Sequence, residues 1–112
     1  MKNILRTSVF VDLLAIRSNI KTLKKQLLPK AKCMAVVKGD AYGHGMIAVA
    51  KTAIDSGVDY LAVFDIEEGI ALRKARIKTP ILVLRSIFPE QVTLAIKHDL
   101  EVAVSTLELL SY

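Results

Sequence analysis

Short apolar runs of strand length recur along this chain, and each is followed by a stretch with helical spacing. Cys33-Met34-Ala35-Val36-Val37, Tyr60-Leu61-Ala62-Val63-Phe64, Ile81-Leu82-Val83-Leu84 and Glu101-Val102-Ala103-Val104 return at intervals of roughly 20 to 26 residues. Continuous rather than alternating apolar runs mark strands covered on both faces, and the intervals suit right-handed βαβ units. The fold class expected is α/β, with parallel strands alternating with helices. After a leading strand and helix the count is four βα repeats, the last incomplete. A doubly wound sheet can close with that number, whereas an eight-stranded barrel would have only half its staves.

Local signals place the elements. Ser8-Val9-Phe10-Val11 reads as a leading strand, and Asp12 as the N-cap of a helix. Ile16, Ile20, Leu23 and Leu27 form its apolar stripe, and Pro29 closes it. A second helix from about Met46 to Ser56 buries Ile47, Ala50, Ala53 and Ile54, with Gly57 as its stop. Asp65 followed by Glu68 resembles a capping box opening a helix to about Lys74. Pro89 suits the first turn of a helix to about His98, whose imidazole then complements the helix dipole. Ser105 and Glu108 repeat the capping signal, and Leu107, Leu109 and Leu110 open a last helix. That helix reaches Tyr112 before its second turn, too short to stand alone, so the chain is expected to be cut off rather than finished.

Composition narrows the function classes. With 112 residues, 53% of them apolar, there is enough chain for one domain and its core. The net charge of +5 comes largely from Arg17, Lys21, Lys24, Lys25, Lys30 and Lys32, on or just after the first helix. Aromatic residues are not interleaved with them as nucleic-acid stacking requires, so a solvated helix face is expected and no nucleic-acid partner. No stretch approaches the ~20 uncharged apolar residues of a membrane span, and no targeting signal is visible. Cys33 is the single cysteine, a small strand residue without a disulfide framework, which suits the cytosol. No Cys/His/carboxylate group has metal-ligand spacing, so no metal is expected.

The chemistry-bearing segment starts at Lys38. This lysine ends an apolar run and is followed at once by Gly39-Asp40-Ala41-Tyr42-Gly43-His44-Gly45. A charged side chain at a buried strand tip must be solvated, paired or partly neutralised, and a structural lysine snorkelling out is the bland reading. Strand, lysine, glycine-rich turn and helix together also form a cradle for a phosphate-bearing cofactor carried on an amine.

The run Ala35-Val36-Val37-Lys38-Gly39-Asp40-Ala41-Tyr42-Gly43-His44-Gly45 closely resembles a motif of the N-terminal domain of alanine racemases, at ten of eleven positions. Gly39 departs from it, where alanine is usual. The likeness extends through Phe10-Val11-Asp12-Leu13, Ile16-Arg17-Ser18-Asn19, Leu61-Ala62-Val63, Glu67-Glu68-Gly69-Ile70-Ala71-Leu72-Arg73 and Pro80-Ile81-Leu82-Val83-Leu84. Arg85 then stands where glycine commonly follows, either clashing or meeting an anion. The resemblance implies a partial TIM-type (β/α)8 barrel, about its first half. Residues 1–112 would be an incomplete barrel domain, with a leading strand and helix in 1–29 and βα repeats in 33–112. The family's second, β-rich domain is expected to be absent.

What the resemblance implies for function follows residue by residue. Lys38 matches the Schiff-base lysine that carries pyridoxal 5'-phosphate and moves a proton at the substrate Cα. Tyr42 matches a tyrosine whose hydroxyl reaches the cofactor phosphate; a packed aromatic is its alternative. His44 is a hydrogen-bonded structural histidine or a catalytic one, and Leu84 lines the pocket or is core. The implied activity is racemisation of alanine, an isomerase reaction supplying D-alanine for peptidoglycan in the cytoplasm. Racemisation needs a second acid-base group on the opposite face of Cα. In the family that is a tyrosine of the later domain, contributed across a dimer, and Tyr42, Tyr60 and Tyr112 do not replace it. The chain therefore resembles a pyridoxal-phosphate-dependent isomerase without its second base, and it is expected to be inactive by itself. The parent is expected to be a homo-oligomer, with the remainder supplied by continuation of the gene or by a separately encoded chain. The alternatives are a racemase of serine or another small amino acid, and a non-catalytic relic or cofactor-binding module.

Overall fold

The computed structural model describes residues 7–112. Four parallel strands, β1 (Met34–Val36), β2 (Tyr60–Val63), β3 (Ile81–Val83) and β4 (Glu101–Val102), lie side by side in chain order. Met34 pairs with Tyr60, Leu61 with Ile81 and Leu82 with Glu101. Helix α1 (Leu13–Lys25) precedes β1, and α2 (Met46–Asp55), α3 (Ile66–Lys74) and α4 (Val92–Lys97) run between successive strands, the last preceded by a 3-10 turn at Pro89–Gln91. Strictly sequential order without a reversal is the arrangement of a barrel wall, not of a doubly wound sheet, whose order changes direction at a switch point. The α/β partial barrel expected from the sequence is thus the fold observed.

The core lies on one side of this wall. Val37, Leu61, Val63, Ile81 and Val83 meet Ala50, Ala53, Ile66, Leu72 and Ala95 there, all buried. The opposite, concave side carries Met34, Val36, Phe64 and Leu84, all exposed. Helix starts follow the cap logic: Asp12 Oδ1 accepts from the Leu14 and Ala15 amides at 2.9 and 3.0 Å, and Asp65 Oδ1 from the Glu68 amide at 3.1 Å. Gly57, at φ +91, follows the α2 C-cap, and its carbonyl accepts from Lys24 Nζ, tying α1 to α2. Arg73 staples the N-terminal ends of β3 and β4, donating to the carbonyls of Ile77, Thr79, His98 and Asp99 at 2.7–2.9 Å.

Several local expectations are corrected. Ser8–Val11 forms no strand, and Phe10 is 93% exposed; extended residues become a strand only by pairing, and β1 has no neighbour on that side among the described residues. Helix α1 ends four residues before Pro29, and its stripe is only half-buried at Ile16 and Ile20, with Leu23 exposed. Ile47 faces solvent while Met46 and Thr52 take buried places on α2. The closing helix is a 3-10 turn at Leu109–Ser111, where Thr106 rather than Ser105 accepts from the Leu109 amide, and Leu107 and Leu110 are exposed.

Candidate active site around Lys38

Lys38 leaves the C-terminal end of β1 and opens a segment, Lys38–Tyr42, wound in the left-handed sense. Gly39, Asp40 and Ala41 have φ/ψ of 60/42°, 55/38° and 52/41°, and Tyr42 and Gly43 continue at φ 52° and 88°. Each non-glycine residue in this region costs about 1–2 kcal/mol, so three in succession require tertiary support. The glycines at 39, 43 and 45 account for part of this path; Asp40, Ala41 and Tyr42 follow it against their own preference.

Hydrogen bonds supply the support. The Ala41 amide donates to Val37 O at 2.9 Å, and the Gly43 and Gly45 amides both reach Asp40 O, at 3.1 and 3.0 Å. Asp40 Oδ1 accepts from the Met46 amide at 2.8 Å. Gly45 offers no side chain at the start of α2, so Asp40 acts as its cap from six residues away. His44 Nδ1 lies 2.9 Å from Ala41 O, so the imidazole is hydrogen-bonded into the turn. Glu68 of α3 completes the frame: Oε1 accepts from the Gly39 amide at 2.6 Å and Oε2 from the Phe64 amide at 2.7 Å.

The Lys38 side chain is half-buried, with Nζ 6.0 Å from the centre of the Phe64 ring at the end of β2. Arg85, just after β3, sets its guanidinium 5.7 Å from the same ring and 5.7 Å from the Phe88 ring. It lies within cation–π range of both aromatic rings rather than clashing at the strand end. Two cations flank one phenyl ring at the strand C-termini, where barrels of this type carry their chemistry. Tyr42 is 76% exposed and turns its ring toward Gly39; with Val36 and His44 it lines a shallow cavity of about 220 Å³ that Lys38 does not reach. The structure thus seats both candidate residues on one turn without bringing them into one cavity. Leu84, also expected to line the pocket or fill the core, is exposed on the concave side.

A larger cavity, about 580 Å³, lies at the other end of the strands among Arg73, Lys78, Lys97 and His98. Its Arg73 is already engaged by four carbonyls, which marks that end as a scaffold feature. Tyr60 also belongs to that end, its hydroxyl donating to Glu101 Oε1 at 3.3 Å. Among the described residues no group of three or more His, Cys, Asp or Glu could hold a metal ion. Among the described residues no helix is long and apolar enough to cross a membrane.

The residue that sequence reasoning missed is Glu68. Its spacing from Asp65 reads as half of a capping box, yet its carboxylate passes over the Asp65 amide and joins two neighbouring strand ends. Nothing in a three-residue spacing distinguishes those outcomes.

A sequence profile described as "Alanine racemase, N-terminal domain" matches residues 11–112. An alanine racemase of Ligilactobacillus salivarius is 46% identical over 105 residues, covering 94% of this chain and 28% of its own length. Alanine racemase 1 of Bacillus subtilis is 43% identical, covering 89% and 26%. Among solved structures, alanine racemase from E. faecalis superposes with a TM-score of 0.88 at 37% identity, covering 90% of this chain and 27% of that one. The enzyme from Bacillus anthracis, solved with bound L-Ala-P, gives 0.87 at 35% identity, covering 94% and 29%. The chain spans little more than a quarter of the length of these relatives.

Proposed function

The chain belongs to the alanine racemase family, matching its N-terminal domain, and on that premise we propose that it is the lysine-bearing part of a pyridoxal 5'-phosphate-dependent racemase interconverting L- and D-alanine. The observation that carries this reading is the position of Lys38: a half-buried amine at a strand C-terminus, on a turn held against its backbone preference and packed over an aromatic ring. Strain kept at a reactive side chain is the signature of a preorganised group. The donor chemistry suits the cofactor, with one amine for its aldehyde and an exposed phenol on the same turn for its phosphate, although the two side chains do not share a cavity.

When bound, pyridoxal phosphate supplies an electron sink for the carbanion at the substrate Cα. Lys38 Nζ would hold the cofactor, and as a free amine it would move the proton on one face of the substrate Cα. The Tyr42 hydroxyl would be a donor for the cofactor's phosphate. A second acid-base group must serve the opposite face. Tyr60 is hydrogen-bonded to Glu101 at the far end of the strands, away from Lys38, and does not supply that group. We assign it to the remaining length seen in the relatives, within the same or a second polypeptide, in a homo-oligomer working in the cytoplasm to supply D-alanine for peptidoglycan.

Incubation with pyridoxal phosphate, borohydride reduction and peptide mapping tests the assignment. One adduct on Lys38, abolished in Lys38→Ala, is expected; an adduct elsewhere, or none, overturns it. Conversion of L- to D-alanine is expected only when a polypeptide supplying the rest of the relatives' length is added. Conversion by the chain alone would place the second base within it.

A further inference from the structure

At the C-terminal ends of β1 and β2 the sheet leaves two amides without a carbonyl partner, Gly39 N and Phe64 N. One carboxylate takes both. Glu68 Oε1 lies 2.6 Å from the first and Oε2 2.7 Å from the second, short distances proper to charge-assisted bonds. The carboxylate stands in the first turn of α3, where the helix N-terminus favours a negative charge and Asp65 Oδ1 holds the Glu68 amide at 3.1 Å.

These amides belong to a telling pair of residues. Gly39 directly follows Lys38 and begins the left-handed turn; Phe64 carries the ring over which Lys38 Nζ lies at 6.0 Å. Glu68 therefore fixes the backbone of the amine and the backbone of its ring with a single rigid group, from a helix that itself sends nothing to the amine. We infer that Glu68 is a positioning residue for Lys38, clamping the two strand ends so that the amine stays over Phe64 on a turn that would otherwise relax. Its functional meaning rests on the reading of Lys38 as the cofactor-bearing amine.

The chemistry of the clamp predicts a graded response. A carboxylate offers an acceptor on each side. Gln keeps one and turns an NH2 donor toward the other amide, and Ala leaves both amides unpaired. Asp65→Ala is the matched control, because it weakens the start of the same helix without touching either clamped amide.

Two readouts test the inference on the full chain, with circular dichroism confirming the fold of each variant. In chains carrying 13C-methylated lysines, with the Lys38 signal assigned through Lys38→Arg, the signal should be displaced by the Phe64 ring current. It should move to the position of solvent-exposed lysines in Glu68→Ala, part of the way in Glu68→Gln, and not at all in Asp65→Ala. In unmethylated chains, borohydride trapping of pyridoxal phosphate at Lys38 should fall about tenfold in Glu68→Ala, with adducts spread over other lysines, and hold in Asp65→Ala. If Glu68→Ala does not fold, Glu68→Gln is read in its place. An unmoved Lys38 signal with unchanged trapping overturns the inference, as does an equal response in Asp65→Ala. Absence of trapping in the unmutated chain overturns the cofactor reading instead, and the lysine signal alone then decides whether Glu68 holds the amine.

Discussion

At Gly39 a single hydrogen stands where a methyl would fit: a Cβ there would meet the Tyr42 ring carbon Cδ1 at 3.5 Å, an ordinary contact. Only the backbone angle, φ +60°, resists the change. Gly39→Ala, the residue usual in the resembling motif, is expected to lower stability by about 1 kcal/mol, read as a lower midpoint in urea at unchanged slope. A rise in midpoint would mean that packing on Tyr42 outweighs the strain. Tyr60 gives a second test. The charge of Glu101, then the hydrogen bond to it, then desolvation hold the Tyr60 phenol above its ordinary 10.0. The folded chain thus keeps that proton to higher pH than the unfolded one. Its contribution to stability is complete below pH 10 and is lost as pH rises through the elevated value. The melting difference between the parent and Tyr60→Phe should shrink from about pH 8 to about pH 11, and an unchanged difference would contradict the pairing. At this scale the sequence spoke clearly for Lys38, whose charge at a strand tip is conspicuous, and was silent for Glu68, whose partners are 29 and 4 residues away on two other segments.

Helix α2 depends on a cap that does not adjoin it. Gly45 precedes Met46 with no side chain to offer, and Asp40 reaches back from inside the left-handed turn. Asp40→Ala is expected to cost about 1–2 kcal/mol, the upper end of a cap substitution, because it also frees the strained turn. Amide hydrogen exchange should speed up at Met46 together with the Gly43 and Gly45 amides; faster exchange at Met46 alone would separate cap from turn. Elements with local signals were legible in advance: Asp12 and Asp65 open helices as read, and Gly57 takes the left-handed angle after α2. Two others were not. Residues Ser8–Val11 have strand composition but no partner among the described residues, and pairing is a property of the whole sheet. The path of Asp40–Tyr42 is imposed by bonds to Val37, Met46 and the strand ends, against what those residue types prefer.

The molecule as a whole presents two apolar surfaces. Val36 (54% exposed) and Phe64 (45%) lie on the concave side with Met34 and Leu84, and Leu14, Leu23 and Leu28 are exposed on or just after α1. Both outer strands also carry unpaired backbone groups among the described residues. Concentration-dependent association is expected, seen as earlier elution in size-exclusion chromatography as concentration rises. A monomer throughout the micromolar range would contradict it. The choice between barrel wall and doubly wound sheet was open in the sequence, because apolar runs give strand number and direction but not lateral order. Lateral order has a temporal side as well. Every strand after the first finds its partner in the one made just before it, some twenty residues earlier. A nascent chain emerging from the ribosome can therefore consolidate each βα unit on the last without waiting for distant sequence, and the loop closures along the way stay short.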